Sequence, residues 1–117
     1  MIKASFSRGE SGLRAIICGH AGYSESGADI VCAAVSGIVY AMLGYLANSG
    51  GYLKINSLDS GVADVECDPS GEEAMKLCCI GLIQIALTYP GTVSVDSMAW
   101  GWRIKPPVYA ACRSAGA

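Results

Sequence analysis

The feature that most constrains the fold is a long uncharged segment, residues 30–47, which contains no Asp, Glu, Lys or Arg. A segment of this length and polarity raises the possibility of a membrane-spanning helix. However, Ser36, Gly37 and Gly44 interrupt the apolar run, and the residues Asn-Ser-Gly-Gly at 48–51 end it as a C-cap does. Strand-like segments then follow. We therefore expect a helix buried against a sheet and a partner subunit, with no membrane contact.

Alternating apolar and polar residues predict strands before and after this helix. Residues 2–7 and 13–18 are separated by a turn at 8–12, and residues 52–58 and 62–67 by a turn at 59–61, so each pair is predicted to form a hairpin. A second helix is predicted to begin after Asp68, where Ser70 and Glu73 have capping-box spacing, and to stop at the Pro-Gly pair at 90–91. Residues 92–98 are predicted to form a fifth strand.

The predicted order β-β-α-β-β-α-β indicates an α+β fold, a two-layer sandwich of two helices on a mainly antiparallel sheet. No linker divides these elements, so we predict one domain over residues 1–98. Residues 99–117, with two prolines at 106–107, show no firm pattern and form a C-terminal segment of undefined structure.

Charge and cysteine usage limit the functional classes. The net charge of −2 argues against a broad electrostatic grip on nucleic acid. Six of the ten acidic residues fall between Asp59 and Glu73, which indicates either a solvated face with acids at a helix start or a surface that attracts a basic substrate. The chain has six cysteines but no Cys-x-x-Cys motif, and its single histidine cannot complete a two-histidine metal set. We expect reduced thiols in a cytoplasmic protein without metal or cofactor.

His20 and Cys32 form the candidate catalytic pair. If Asp29 is the N-cap, Cys32 is the third helical residue, where backbone N–H groups and the helix dipole favour a thiolate. Ser26 is a rival cap that would place Cys32 deeper in the helix. Asp29, Cys32 and Ser36 then share one side of the helix. A cysteine is often simply a small core residue, and a histidine at a strand end is often structural. The loop between the pair, with Gly22 and Gly27, favours catalysis because such a loop can close over a substrate.

The segments Gly-His-Ala at 19–21 and Asp-Ile-Val-Cys-Ala-Ala-Val-Ser at 29–36 resemble the signature of the ribosomal-processing cysteine protease family (Prp, YsxB-like). The resemblance covers roughly residues 1–98 and implies a cytoplasmic bacterial endopeptidase that forms a homodimer. It implies that Cys32 is the nucleophile, that His20 is the base, and that substrate binding orders the loop at 21–28. The implied substrate is large-subunit ribosomal protein number twenty-seven, whose N-terminal extension is removed by cleavage after an aromatic residue.

Within that mechanism, we expect helix-start N–H groups, including that of Cys32, to stabilise the oxyanion. Gly22, Gly27, Asp29 and Ser36 are assigned supporting or substrate-binding roles, and the other five cysteines are expected to be mostly buried. The main alternative is a non-catalytic ribosome-assembly module that binds the same protein, and a thiol redox protein is a further one.

Overall fold

The computed structural model describes residues 1–25 and 29–97, and its elements follow the predicted order. The strands are β1 (Ile2–Arg8), β2 (Leu13–Cys18), β3 (Leu53–Asp59), β4 (Val62–Cys67) and β5 (Val93–Asp96). The helices are α1 (Ile30–Asn48) and α2 (Glu72–Thr88), and a short 3-10 turn at Pro69–Gly71 precedes α2. The C-terminal segment, residues 99–117, lies outside the described residues.

The five strands form one sheet in the order β3-β4-β2-β1-β5. The β1–β2, β2–β4 and β3–β4 pairs are antiparallel, whereas β5 runs parallel to β1. The parallel pair arises because α2 crosses over the sheet and returns the chain beside β1, a connection that a hairpin cannot make. The prediction of an α+β fold with a mainly antiparallel sheet is confirmed.

The core lies between one face of the sheet and the two helices. Alternate residues of the strands point inward, among them Phe6, Ala15 and Val65, and they form a single cluster with the buried stripes of α1 and α2. The buried stripe of α1 consists of Val31, Val35, Val39, Met42, Leu43 and Leu46. Since both helices join the same cluster, they cover the same face of the sheet, which gives the expected two layers.

Helix α1 also has the length and apolar composition of a membrane span. Those properties alone are weak evidence, because the core helix of a soluble domain shares them. Here the buried stripe of α1 packs in the core, while the Tyr40 and Tyr45 side chains of the same helix stay exposed.

The acidic residues between positions 59 and 73 are mostly engaged with their own chain. Asp64 forms a bidentate pair with Arg14 on the outer face of the sheet, with N–O distances of 2.9 and 2.7 Å. Hydrogen bonding to Arg14 is the main cause that holds the pKa of Asp64 below its usual range. Glu66 accepts a hydrogen bond from Asn56, and Glu72 pairs with Arg8. These partners favour the structural interpretation of this stretch over a docking surface for a basic substrate.

Two local predictions were wrong. The capping box at Ser70 and Glu73 does not form: Asp68 caps the 3-10 turn by accepting from the Ser70 N–H, and α2 then starts at Glu72 without a side-chain cap. The side-chain cap therefore lies at the start of the 3-10 turn, before Pro69, and not at the start of α2. The fifth strand is also shorter than predicted, since it ends at Asp96.

Candidate active site

His20 lies just past the end of β2, and the backbone conformation of the preceding residue, Gly19, places it there. Gly19 has a φ of +104°, and a Cβ at this position would lie 2.4 Å from the Met1 carbonyl oxygen. The Gly19 N–H donates to the Gly61 carbonyl at 2.8 Å, so the strand pairing of β2 with β4 is continued up to the residue before His20. The His20 side chain is exposed at this edge of the sheet.

Cys32 lies in the first turn of α1 because Asp29 is the N-cap. Asp29 has an extended backbone, and its Oδ1 accepts from the N–H groups of Val31 at 2.9 Å and Cys32 at 3.0 Å. The choice between the two possible caps is thereby settled in favour of Asp29, and Cys32 is the third residue of the helix. Its side chain is partly exposed.

The second carboxylate oxygen of Asp29 holds the loop that follows His20. Oδ2 accepts from the N–H groups of Tyr23 at 3.0 Å and Ser24 at 3.2 Å. Burial alone would raise the pKa of this carboxyl, but the four backbone N–H donors outweigh it and lower the pKa. Asp29 therefore stays ionised and joins the start of the helix to the start of the loop.

The structure brings the two predicted catalytic residues to one place. The N–H of Ala21, the residue directly after His20, donates to the Cys32 Sγ at 3.4 Å. Together with Ser36, His20 and Cys32 line two adjoining cavities of about 410 and 340 Å³. The smaller cavity also contacts Gly22 and Asp29, so five of the six predicted site residues meet here. Gly27 lies outside the described residues.

One element of the expected chemistry was wrong. The N–H of Cys32 is not a free donor for an oxyanion, because it already donates to Asp29 Oδ1. Capping satisfies helix-start N–H groups in this way. The Cys32 sulfur instead accepts a hydrogen bond from the N–H of Ala21, which lies just beyond the end of β2.

The remaining described cysteines divide into two classes. Burial raises the pKa of the Cys67 and Cys79 thiols to about 11 and that of Cys78 to about 12, so these three are protonated, inert core residues. For these three cysteines the expected burial is confirmed. Cys18, by contrast, is exposed on the outer face of the sheet, contrary to its expected burial. Cys112 lies outside the described residues.

Part of the site came from a region that sequence reasoning did not connect with it. The larger cavity is lined by the β3–β4 turn, Asp59, Ser60 and Gly61, and by the side chains of Tyr40 and Leu58. The Asp-Ser-Gly sequence signals a turn but carries no information about which strand end that turn approaches. Only the pairing of β4 with β2 brings it beside His20.

Comparisons with known proteins agree with this architecture. A crystal structure described as the essential ribosomal processing protease Prp from S. aureus, with a covalently linked product peptide, aligns with a TM-score of 0.73 and 20% identity over 82% of this chain and 98% of that one. The same protease with a substrate peptide gives a TM-score of 0.64 at 19% identity, with the same coverage. A Streptococcus mutans protein gives 0.63 at 27% identity, covering 82% of this chain and 92% of that chain.

No curated protein sequence matches significantly. The family model for the cysteine protease Prp, however, matches residues 1–94, which include both hairpins, both helices and the His20–Cys32 region. The chain therefore belongs to the family of the cysteine protease Prp.

Proposed function

We propose that the protein is a cytoplasmic endopeptidase in which Cys32 is the nucleophile and His20 the general base. The substrate we propose is the N-terminal extension of bacterial large-subunit ribosomal protein number twenty-seven. The hydrogen bond from the Ala21 N–H to the Cys32 Sγ carries this proposal, because it fixes the backbone beside His20 to the sulfur. The S. aureus relative, crystallised with a substrate peptide and with a covalently linked product peptide, supports peptide cleavage through a covalent intermediate.

The chemistry follows from the positions of these groups. The Cys32 thiolate attacks the scissile carbonyl carbon, and the C–N bond breaks as the His20 imidazolium gives its proton to the leaving amine. His20 then takes a proton from water, whose oxygen attacks the thioester carbonyl carbon. The C–S bond breaks, the acid product leaves, and the Cys32 thiolate and the His20 imidazolium are restored. Ser36, one helical turn after Cys32, lines both cavities, where its hydroxyl can hydrogen-bond a bound peptide.

The larger cavity supports cleavage beside an aromatic residue. Part of its lining is apolar, formed by Ile17, Val35, Val39 and Leu58, and the rest is polar and includes His20, Ser36 and Asp59. An apolar patch beside polar groups can bind an apolar side chain and orient a reactive bond. An extended peptide crossing Cys32 would place one side chain in this cavity and continue into the smaller one.

We also propose a homodimer. The helices leave large apolar side chains exposed, notably Tyr45 on α1 and Leu77 on α2, which are 64% and 72% exposed. A cluster of this kind on a small domain marks an interaction surface, and a second copy of the chain can cover it with two-fold symmetry. Light scattering should give twice the chain mass at micromolar concentration, and Leu77→Glu should shift the protein toward the monomer. A monomeric wild type would contradict the proposal.

The decisive experiment is cleavage of a synthetic peptide that spans the extension and the first residues of the mature ribosomal protein. Mass spectrometry should detect two fragments with the wild type and none with Cys32→Ala, which should still bind the peptide. Cys18→Ala is the matched control, because Cys18 is exposed but lines neither cavity. It should cleave at the wild-type rate. Cleavage by Cys32→Ala would exclude Cys32 as the nucleophile. Peptide binding without cleavage by the wild type would leave the binding module as the better account.

A further inference from the structure

A catalytic histidine is usually oriented by a hydrogen bond from its ring to a side chain. Over residues 1–25 and 29–97, no side chain forms a hydrogen bond with the imidazole of His20. Asp29, which lines the smaller cavity together with His20, accepts hydrogen bonds from four backbone N–H groups. Within the described part of the chain, the ring is therefore held by contacts other than a hydrogen bond to a carboxylate.

The β3–β4 turn supplies a contact that does this. A Cβ added to Gly61 would lie 2.8 Å from Nε2 and 3.0 Å from Cε1 of His20, so the edge of the ring rests against the bare α-carbon of this glycine. Gly61 has a φ of +77°, a conformation that glycine adopts without strain. Its carbonyl also accepts the hydrogen bond from the N–H of Gly19 at 2.8 Å.

We propose that Gly61 is a positioning residue for His20, with the β3–β4 turn acting as the seat of the imidazole. One residue thus fixes the backbone before His20 through its carbonyl and the ring of His20 through its α-carbon. The inference rests on the proposed function only in assigning a proton-transfer role to His20. A displacement of the base by about 1 Å lowers catalysis roughly 100-fold, so a side chain at position 61 would act through geometry alone.

Glycines elsewhere in the chain provide matched controls. Gly50 and Gly91 have φ values of +80° and +81°, nearly the same as Gly61, but a Cβ at either would meet nothing within 4 Å. Substitution at all three positions therefore costs similar backbone strain, and only substitution at Gly61 reaches the imidazole. Asn is the informative replacement, because it tolerates left-handed backbone better than Ala and still carries a Cβ.

The test compares Gly61→Asn with Gly91→Asn and Gly50→Asn, using two readouts. In peptide cleavage, we expect kcat of Gly61→Asn to fall at least roughly tenfold, while both controls keep the wild-type kcat within about twofold. His20 is the only histidine, so NMR reports its ring as a single imidazole spin system. Those resonances should move in Gly61→Asn and stay in place in the two controls.

The two readouts separate this inference from the proposed function. If the wild type does not cleave the peptide but the imidazole resonances move only in Gly61→Asn, the positioning role of Gly61 is supported and the protease function is rejected. Unchanged resonances in folded Gly61→Asn, or an equal loss of kcat in all three variants, would overturn the seat. If Gly61→Asn does not fold while both controls do, Gly61→Ala takes its place in the same comparison, and unchanged resonances there overturn the seat equally.

Discussion

At the scale of a single residue, Asp29 has two functions that can be separated, because each of its carboxylate oxygens accepts hydrogen bonds from a different segment. Oδ1 caps α1 through Val31 and Cys32, and Oδ2 holds the loop through Tyr23 and Ser24. A serine at this position has one side-chain oxygen, which can keep the cap but cannot also reach the loop. The two functions can therefore be distinguished by choosing the substituent.

We expect Asp29→Ser to retain most of the thermal stability and to lose peptide turnover. Asp29→Ala should lose both, with a Tm lower by roughly 4–8 °C than that of the wild type. Thermal unfolding and peptide cleavage, measured on the same preparations, check this. Full turnover by Asp29→Ser would show that the Asp29–loop contact is dispensable for the site.

Cysteine labelling tests the Cys32 environment directly. Cys32 is partly exposed and receives the Ala21 N–H, whereas thiols whose pKa is about 11 to 12 are ionised to about one part in a thousand or less at pH 8. Limiting iodoacetamide should therefore label Cys32 first and leave Cys67, Cys78 and Cys79 unlabelled until the protein unfolds. Peptide mapping by mass spectrometry reads the order.

The exposed Cys18 is the internal standard for this measurement, because it lies at the end of a strand, away from any helix start, and lines neither cavity. Cys32 should react faster than Cys18 in the wild type. Equal rates for the two would count against activation of Cys32 by its surroundings. In His20→Ala, alkylation of Cys32 should fall less than proteolysis does, because the helix start and the Ala21 N–H remain.

At the scale of elements, the loop after His20 is tied to both helices. Asp29 at the start of α1 holds its backbone, and the Tyr23 ring meets the edge of Tyr89 at the end of α2 with a centroid distance of 5.3 Å. Such an edge-to-face pair contributes about 0.5–1.5 kcal/mol beyond its buried area. The start of the loop is thus fixed by contacts from the start of one helix and the end of the other.

Removing the aromatic contact should loosen this anchor without dismantling the fold. In Tyr89→Leu, hydrogen exchange of the Tyr23 and Ser24 amides should accelerate several-fold, while exchange of the core strands stays unchanged. Tyr52→Leu is the control, because Tyr52 is an exposed tyrosine before β3 that lines neither cavity of the site. Acceleration by the same factor in both variants would mean that the Tyr23–Tyr89 pair does not hold the loop.

The elements themselves could be predicted because their signals are local. Alternation gave the hairpins, Asp29 gave the start of α1, and the order of elements gave the two layers. The parallel placement of β5 beside β1 and the approach of Gly61 to His20 depend on contacts far apart in sequence. The hydrogen bond from the Cys32 N–H to Asp29 could have been predicted, because an Asp at the N-cap accepts from the N–H groups two and three residues after it.

At the scale of the whole molecule, the buried thiols couple stability to alkaline pH. Burial is the main cause that raises the pKa of Cys67, Cys78 and Cys79 to about 11, 12 and 11, from an ordinary value of 9.0. Above pH 9, an unfolded chain would release these protons while the folded chain keeps them. Their contribution is therefore complete below about pH 9 and is lost as the pH rises toward 11 to 12.

We expect the free energy of unfolding to fall steeply between pH 9 and pH 10.5 under reducing conditions, by up to about 1.4 kcal/mol per pH unit for each thiol. The control is the variant Cys67→Ala, Cys78→Ala, Cys79→Ala, which loses packing at every pH but lacks these three thiols. Tyrosine and lysine ionisation is common to both proteins, so the difference between their pH slopes isolates the three thiols. Urea unfolding at each pH measures both slopes. Equal slopes would show that burial does not keep these sulfurs protonated, and that water reaches the core between the sheet and α2.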